Sequence, residues 1–277
     1  MKELEFEVFG RRIAALGSGA EGGPRVLALH GWLDNAASYI PLAAALPECQ
    51  WVVPVLAGNG RSDHRSMDGE YNIWNDLPDI EALVNALGWD EFVLIGHSRG
   101  AVIAGLFAAT LPQRVSRLVL LDGLPSLATE AGDSLAQLRN YLQDKRTLQD
   151  KPGRVFSRIE DAVAVRERIG MTTASARLIA ERNLTPCEGG WRWTHDPRLQ
   201  GASAFRLTAA HNDAVLLGID MPALLLLATG GQRQRRETLP ELPPSMTVVS
   251  VEGGHHCHME DSVAVIAGHL RDFLDQA

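Results

Sequence analysis

A serine between two glycines is the first group in this chain whose setting suggests chemistry. Residues 92–95 are four apolar residues typical of a short buried strand, and residues 101–109 have the pattern of a helix on the same sheet. The motif Gly-His-Ser-Arg-Gly at residues 96–100 joins them through a sharp turn. Glycine two positions to either side of Ser98 leaves room for that turn, so the serine hydroxyl projects from the sheet as a candidate nucleophile.

A serine hydroxyl needs an adjacent base, and histidine is the usual one because its pKa lies near neutral pH. Of the nine histidines, the best placed lie in the sequence Gly-Gly-His-His-Cys-His-Met-Glu at residues 253–260, directly after the last predicted strand. The three histidines and the cysteine of this stretch also suggest a metal site. However, neighbouring ligands on one short loop are poorly placed around a tetrahedral ion, and no Cys-x-x-Cys or His-Glu-x-x-His motif occurs elsewhere. We therefore expect no metal.

The apolar segments predict a sheet that brings these groups to one edge. After an opening hairpin, buried strands near residues 25–29, 50–56, 92–95, 117–121, 223–227 and 247–251 alternate with helical segments, an order typical of a parallel sheet with helices on both faces. Residues 124–212 contain helical patches and no strong strand, which predicts a helical insertion. Ligands of such sheets bind beyond the carboxyl ends of the strands, where His30, Ser98 and Asp122 are expected.

Together these motifs resemble the α/β-hydrolase family over nearly the whole chain. Residues 30–36 (HGWLDNA), 96–98 (GHS), 191–199 (WRWTHDPRL) and 254–260 (GHHCHME) are similar to its serine hydrolase-like subgroup. The resemblance implies an α/β-hydrolase fold, with a core of residues 1–123 and 213–277 and a helical cap of residues 124–212.

The resemblance also implies roles for individual residues. It makes His255 the general base, because Gly254 and Glu260 flank it with the spacing of the family's final motif. It forms an oxyanion hole from the backbone N–H groups of Trp32 and Arg99.

Three further residues are candidates for the substrate pocket. They are Trp191, Trp193 and His30. Packing of the two tryptophans against the core is an equal alternative, and a histidine in the position of His30 is more often a structural hydrogen-bonding group.

The acid that would orient the histidine is where the sequence departs from the family pattern. Relatives carry an aspartate after the strand that precedes the last one, whereas residues 228–232 read Ala-Thr-Gly-Gly-Gln. We assign Asp122, because some branches of the family place their acid at the end of the strand that follows the nucleophile. A simple turn at Asp122, a role for Glu237, and the absence of an acid remain alternatives, while Asp220 lies at the wrong end of its strand.

A second departure lies at residues 55–62. Relatives usually have Asp-x-x-Gly-His-Gly-x-Ser, where this chain has Val55 and Asn59. We expect Asn59 to keep the turn, because asparagine tolerates a left-handed backbone. We expect Val55 to change the electrostatics near the site.

Composition limits the partners of the protein. A net charge of −8 argues against nucleic acid or an anionic membrane as a partner, and no apolar stretch reaches the ~20 residues that span a bilayer. The acidic, alternating N-terminus is unlike a signal peptide, and three scattered cysteines do not suggest disulfides. We expect a cytoplasmic protein with a small-molecule substrate; a homodimer is compatible with the sequence.

The predicted function is carboxylic ester hydrolysis on a small or medium apolar substrate through an acyl-enzyme, without a cofactor. The same constellation can also hydrolyse carbon–carbon bonds or perform cofactor-free perhydrolysis. The alternative to an enzyme is a ligand-binding protein that keeps the fold and has lost turnover. It is supported by the absence of an aspartate at residues 228–232 and by the departures at Val55 and Asn59. Dehalogenase and epoxide hydrolase branches are disfavoured, because they need aspartate in place of Ser98.

Overall fold

An eight-stranded, mostly parallel sheet forms the centre of the protein. A computed structural model of the chain describes residues 1–125, 128–148, 153–231 and 239–275. Its strands are β1 (Lys2–Val8), β2 (Arg11–Ser18), β3 (Arg25–Leu29), β4 (Gln50–Pro54), β5 (Phe92–His97), β6 (Val115–Leu121), β7 (Val155–Phe156), β8 (Leu184–Cys187), β9 (Gly190–Trp193), β10 (Ala223–Gly230) and β11 (Met246–Gly254). The large sheet has the order β1-β2-β4-β3-β5-β6-β10-β11. Only the pairings of β2 with β1 and β4 are antiparallel, so the predicted fold class is confirmed.

Helices cover both faces of this sheet. The helices on the sheet are α1 (Ile40–Ala45), α2 (Asp76–Ala86), α3 (Arg99–Thr110), α7 (Ala209–Leu217) and α8 (Val263–Leu274). Helices α4 (Ser134–Leu148), α5 (Ile159–Glu167) and α6 (Thr173–Asn183) belong to the segment between β6 and β10. Successive residues of a strand point to opposite faces, so in β5 Leu94 packs with α2, α3 and α7, whereas Val93 and Ile95 pack with α1 and α8. Among the described helices, none combines the length and the apolar composition needed to cross a bilayer.

The segment between β6 and β10 is not purely helical, which corrects the expectation of a helical insertion. Strands β7, β9 and β8 form a small antiparallel sheet beside α5 and α6. The hairpin from β8 to β9 turns at Gly189 and Gly190, whose φ angles of 82° and 138° favour glycine. Strands of two to four residues are too short to show a clear alternation in the sequence. The boundary expected at residues 212 and 213 lies inside α7.

Buried polar contacts join α5 and α6 to the loop that follows β3. Arg166 Nη1 lies 3.3 Å from Asp34 Oδ1, and both side chains are more than nine-tenths buried. Asn35 Nδ2 donates to Asn183 Oδ1 at 2.8 Å. These contacts fix the inserted segment relative to the carboxyl edge of the sheet.

Candidate active site

Ser98 lies on a strained turn between β5 and α3. Its φ and ψ angles are 52° and −117°, which place a residue other than glycine in a sparsely populated region. A β-carbon on Gly96 would lie 2.3 Å from the Gly100 carbonyl oxygen, and one on Gly100 would lie 2.2 Å from the Leu29 carbonyl oxygen. The glycines are therefore required by close backbone approach, for the reason that the motif predicted.

His255 and Asp122 form a tight pair next to Ser98. The Nδ1 atom of His255, in the loop after β11, lies 2.5 Å from Oδ2 of Asp122, which directly follows β6. The Asp122 side chain is fully buried, and its Oδ1 accepts a hydrogen bond of 3.2 Å from the backbone N–H of Ala228. This contact sets the tautomer of the imidazole, because Nδ1 carries the proton that the carboxylate accepts.

A cavity of about 750 Å³ opens over these groups. Ser98, Asp122 and His255 line this cavity, together with residues that the inserted segment contributes from α4 and from the loop before α7. Trp32 and Arg99, the predicted oxyanion residues, also line the cavity. The structure thus brings five of the sequence-predicted residues to one space, while Glu237 lies outside the described residues.

The side chains of Trp32 and Arg99 have polar partners other than Ser98. Trp32 Nε1 donates to the Leu199 carbonyl at 2.9 Å, and Arg99 Nη2 lies 2.8 Å from Asp76 Oδ2. Arg99 is the first residue of α3, where backbone N–H groups have no partner within the helix. These N–H groups and the positive end of the helix favour negative charge beside Ser98.

The other three pocket candidates are not brought to the cavity. Trp191 and Trp193 pack against the apolar cluster of the inserted segment, where Trp193 meets the ring of Phe156 edge-on at 5.5 Å. His30 is fully buried: its Nδ1 donates to the Gly31 carbonyl at 2.8 Å, and its Nε2 accepts from Leu56 N–H at 3.0 Å. Both tryptophans are therefore half-buried packing residues of the inserted segment, and His30 holds the loop after β3.

The departures at Val55 and Asn59 also have a structural explanation. Val55 is buried in the core on the face of α1 and α8 and is not among the described residues of the cavity wall. Asn59 does not use a left-handed backbone, which corrects that expectation; its Nδ2 instead donates to the carbonyls of Leu56 and Ala57. The left-handed positions of this turn are Gly58 and Gly60.

The family model of the α/β hydrolase fold matches residues 24–262. The chain belongs to the α/β-hydrolase family. The resemblance that the motifs suggested is thereby confirmed.

The relatives of this α/β hydrolase include proteins of the serine hydrolase-like subgroup. A serine hydrolase-like protein of Danio rerio is 30% identical over 92% of this chain and 83% of its own length. Serine hydrolase-like protein 2 of Homo sapiens is 30% identical over 94% of this chain and 90% of its own. The crystal structure of the hypothetical protein PA1622 from Pseudomonas aeruginosa PAO1 is 35% identical, with a TM-score of 0.90 over 98% of this chain and 100% of that one. These relatives support a hydrolase activity.

Sequence reasoning missed a buried polar cluster behind the site of this α/β hydrolase. His97 Nε2 donates to the His255 carbonyl at 2.8 Å, which ties the residue before Ser98 to the histidine loop. Within the described part of the chain, possible ligand atoms of Asp34, His97 and His256 lie within 4.8 Å of one another. Asp34 already pairs with Arg166, so its charge is compensated without an ion. The metal set considered from the sequence was a different one, and the absence of a metal stays a prediction.

Proposed function

We propose that this α/β hydrolase cleaves carboxylic esters through an acyl-enzyme on Ser98, with His255 as general base and Asp122 as the acid that orients it. The observation that carries the proposal is the 2.5 Å contact between His255 Nδ1 and Asp122 Oδ2 at the wall of the cavity that contains Ser98. A histidine held in this tautomer presents an unprotonated Nε2, which is the form that accepts a proton from a serine.

The proposed reaction has two halves. In the first, Ser98 Oγ attacks the ester carbonyl while His255 Nε2 takes its proton, and the proton then passes to the departing alcohol. In the second, His255 Nε2 removes a proton from water while the water oxygen attacks the acyl carbon. The bond to Ser98 Oγ then breaks, the proton passes from His255 to Ser98 Oγ, and the acid is released. The carbonyl oxygen becomes negative in both tetrahedral intermediates, where the backbone N–H groups of Trp32 and Arg99 would stabilise it.

The wall of the cavity supports an acyl substrate of small or medium size. Its volume of about 750 Å³ lies in the usual range for small-molecule sites. Apolar side chains line the wall beside the serine, among them Val102, Leu124 and Pro125. An acyl chain bound at Ser98 would therefore have apolar side chains to pack against.

The test is covalent labelling with a fluorophosphonate, located by peptide mass spectrometry, together with hydrolysis of 4-nitrophenyl esters. We expect labelling at Ser98 and ester turnover, and neither in a Ser98→Ala variant with unchanged thermal stability. A folded protein that is not labelled and does not hydrolyse esters would contradict the proposal. Stoichiometric ester binding without turnover would then favour the ligand-binding alternative.

A further inference from the structure

One side-chain amide in the cavity wall has a nitrogen without a hydrogen-bond partner in the described part of the chain. Asn212, in α7, is only 4% exposed and lines the cavity. Its Nδ2 is buried and has no hydrogen-bond partner among the residues that the structure describes. A buried amide without a partner costs free energy, so the position is better explained by a group that enters the cavity and accepts a hydrogen bond.

The charges of the cavity wall indicate the nature of that group. The described wall contains four lysine and arginine residues, of which three have acidic partners: Arg99 pairs with Asp76, Arg198 with Asp196, and Lys145 with Glu70. The fourth, Arg206, is exposed, and no ion pair joins it to the described part of the chain. Arg206 lies three residues before α7, so its guanidinium and the Asn212 amide come from one short segment.

We propose that Asn212 and Arg206 bind a carboxylate carried on the acyl chain of the substrate, at the end remote from the ester. This inference rests on the proposed function and names its substrate class: an ester of a dicarboxylic acid in which the second carboxyl group is free. A guanidinium and an amide donor together suit a carboxylate, because hydrogen bonds between charged groups are stronger than those between neutral ones. Rotation of the amide exchanges Oδ1 and Nδ2, so the donor can meet a ligand from either side.

Apolar side chains of the same cavity wall suit this substrate. Val102, Leu124 and Leu207 belong to the wall that also contains Ser98, Arg206 and Asn212. The methylene groups of the acyl chain would pack there, while each end of the chain meets polar groups. Hydrolysis adds one water across the ester bond and releases the alcohol and the dicarboxylic acid, with no other reactant.

The experiment compares three 4-nitrophenyl esters of equal chain length: the hexanoate, the monoester of adipic acid, and the same monoester with its free carboxyl methylated. We expect the wild-type kcat/KM to be about tenfold higher for the adipate monoester than for the hexanoate. Asn212→Leu and Arg206→Gln should each lower that ratio about tenfold. The control is Arg192→Gln, which replaces an exposed arginine of the inserted segment outside the described cavity wall. It should leave the ratio of the two kcat/KM values unchanged.

Each outcome bears on the inference. The carboxylate site would be overturned by equal turnover of the free and methylated adipate esters, or by a kcat/KM ratio that is unchanged in Asn212→Leu and Arg206→Gln. Hexanoate turnover and labelling at Ser98 would in that case still support the proposed function. If Asn212→Leu does not fold, Asn212→Asp keeps the shape and should repel the carboxylate. Adipate should also raise the Tm of the Ser98→Ala protein and not that of the Ser98→Ala, Arg206→Gln protein, and this readout needs no turnover. Equal shifts, or no shift in either protein, would overturn the carboxylate site.

Discussion

The carboxylate of Asp122 lies directly against Gly231, where a β-carbon would come within 2.3 Å of Asp122 Oδ2. Gly231 belongs to the stretch after β10 where relatives carry their acid, whereas Asp122 comes from the end of β6. The two positions therefore share one space beside His255. The missing side chain at residue 231 is what leaves room for a carboxylate that arrives from the neighbouring strand.

Gly231→Ala should thus impair activity without touching any reacting group. The added methyl must displace the Asp122 carboxylate, and a shift of about 1 Å at such a site can lower kcat about 10²-fold. The matched control is Gly268→Ala in α8, where a β-carbon would meet nothing within 4 Å. Ester hydrolysis and thermal unfolding of both variants give the comparison, and full activity in Gly231→Ala would contradict the role of this space.

Asp122→Asn should leave the fold intact and lower kcat by about 10⁴-fold, by analogy with the serine protease triad. An amide keeps the size of the carboxylate and does not hold the proton on His255 Nδ1. The measurement is kcat for a 4-nitrophenyl ester, with circular dichroism and Tm to confirm folding. Near-wild-type turnover would show that the acid lies elsewhere or that none is needed.

Arg166→Met should destabilise the protein, because it leaves the buried Asp34 carboxylate without its cationic partner. Burial raises the pKa of Asp34, but the contact with His256 and the charge of Arg166 overcome this effect and hold the pKa below its ordinary value. Removing one member of a buried pair typically costs about 3–5 kcal/mol. Urea unfolding should show such a loss, and Asp34→Asn combined with Arg166→Met should recover part of it. A loss below about 1 kcal/mol, as for an exposed ion pair, would contradict the prediction.

His258 should make the protein sensitive to acid. Its ring is fully buried, and burial lowers its pKa from 6.5 to about 3. The unfolded chain therefore binds a proton that the folded protein does not bind between these values, so folding stability falls as the pH falls from 6.5 towards 3. The slope from this group alone is about 1.4 kcal/mol per pH unit.

The variant His258→Phe isolates this effect. Phenylalanine fills the space beside the Tyr39 ring, which lies 5.2 Å from the His258 ring, and carries no proton. We expect the difference between the Tm of the variant and the Tm of the wild type to be more favourable to the variant at about pH 5 than at about pH 8. His269→Phe, at a half-buried position of α8, is the matched control for replacing a histidine by phenylalanine. An unchanged Tm difference between the two pH values would contradict the assignment.

Features set by neighbouring residues could be predicted from the sequence. The glycines around Ser98 follow from the sterics of one turn. The parallel strands could be predicted from their continuous apolar runs, because both faces of such strands are buried. Asparagine is a favoured N-cap residue, and the side chain of Asn35, directly before residue 36, accepts a hydrogen bond from Ala37 N–H at 2.8 Å. Each of these features depends on contacts within a few residues of the chain.

The sequence by itself determined the α/β-hydrolase fold, the turn that exposes Ser98 and the loop that contains His255. The tertiary structure decided which carboxylate meets His255, since Asp122 reaches it from another strand, and it decided that Trp191 and Trp193 pack inside the inserted segment. It also gave Asn212 its unpaired place in the cavity wall. The physical reason is that burial and partner choice depend on side chains far apart in the chain, whereas turns and strand patterns depend on close neighbours.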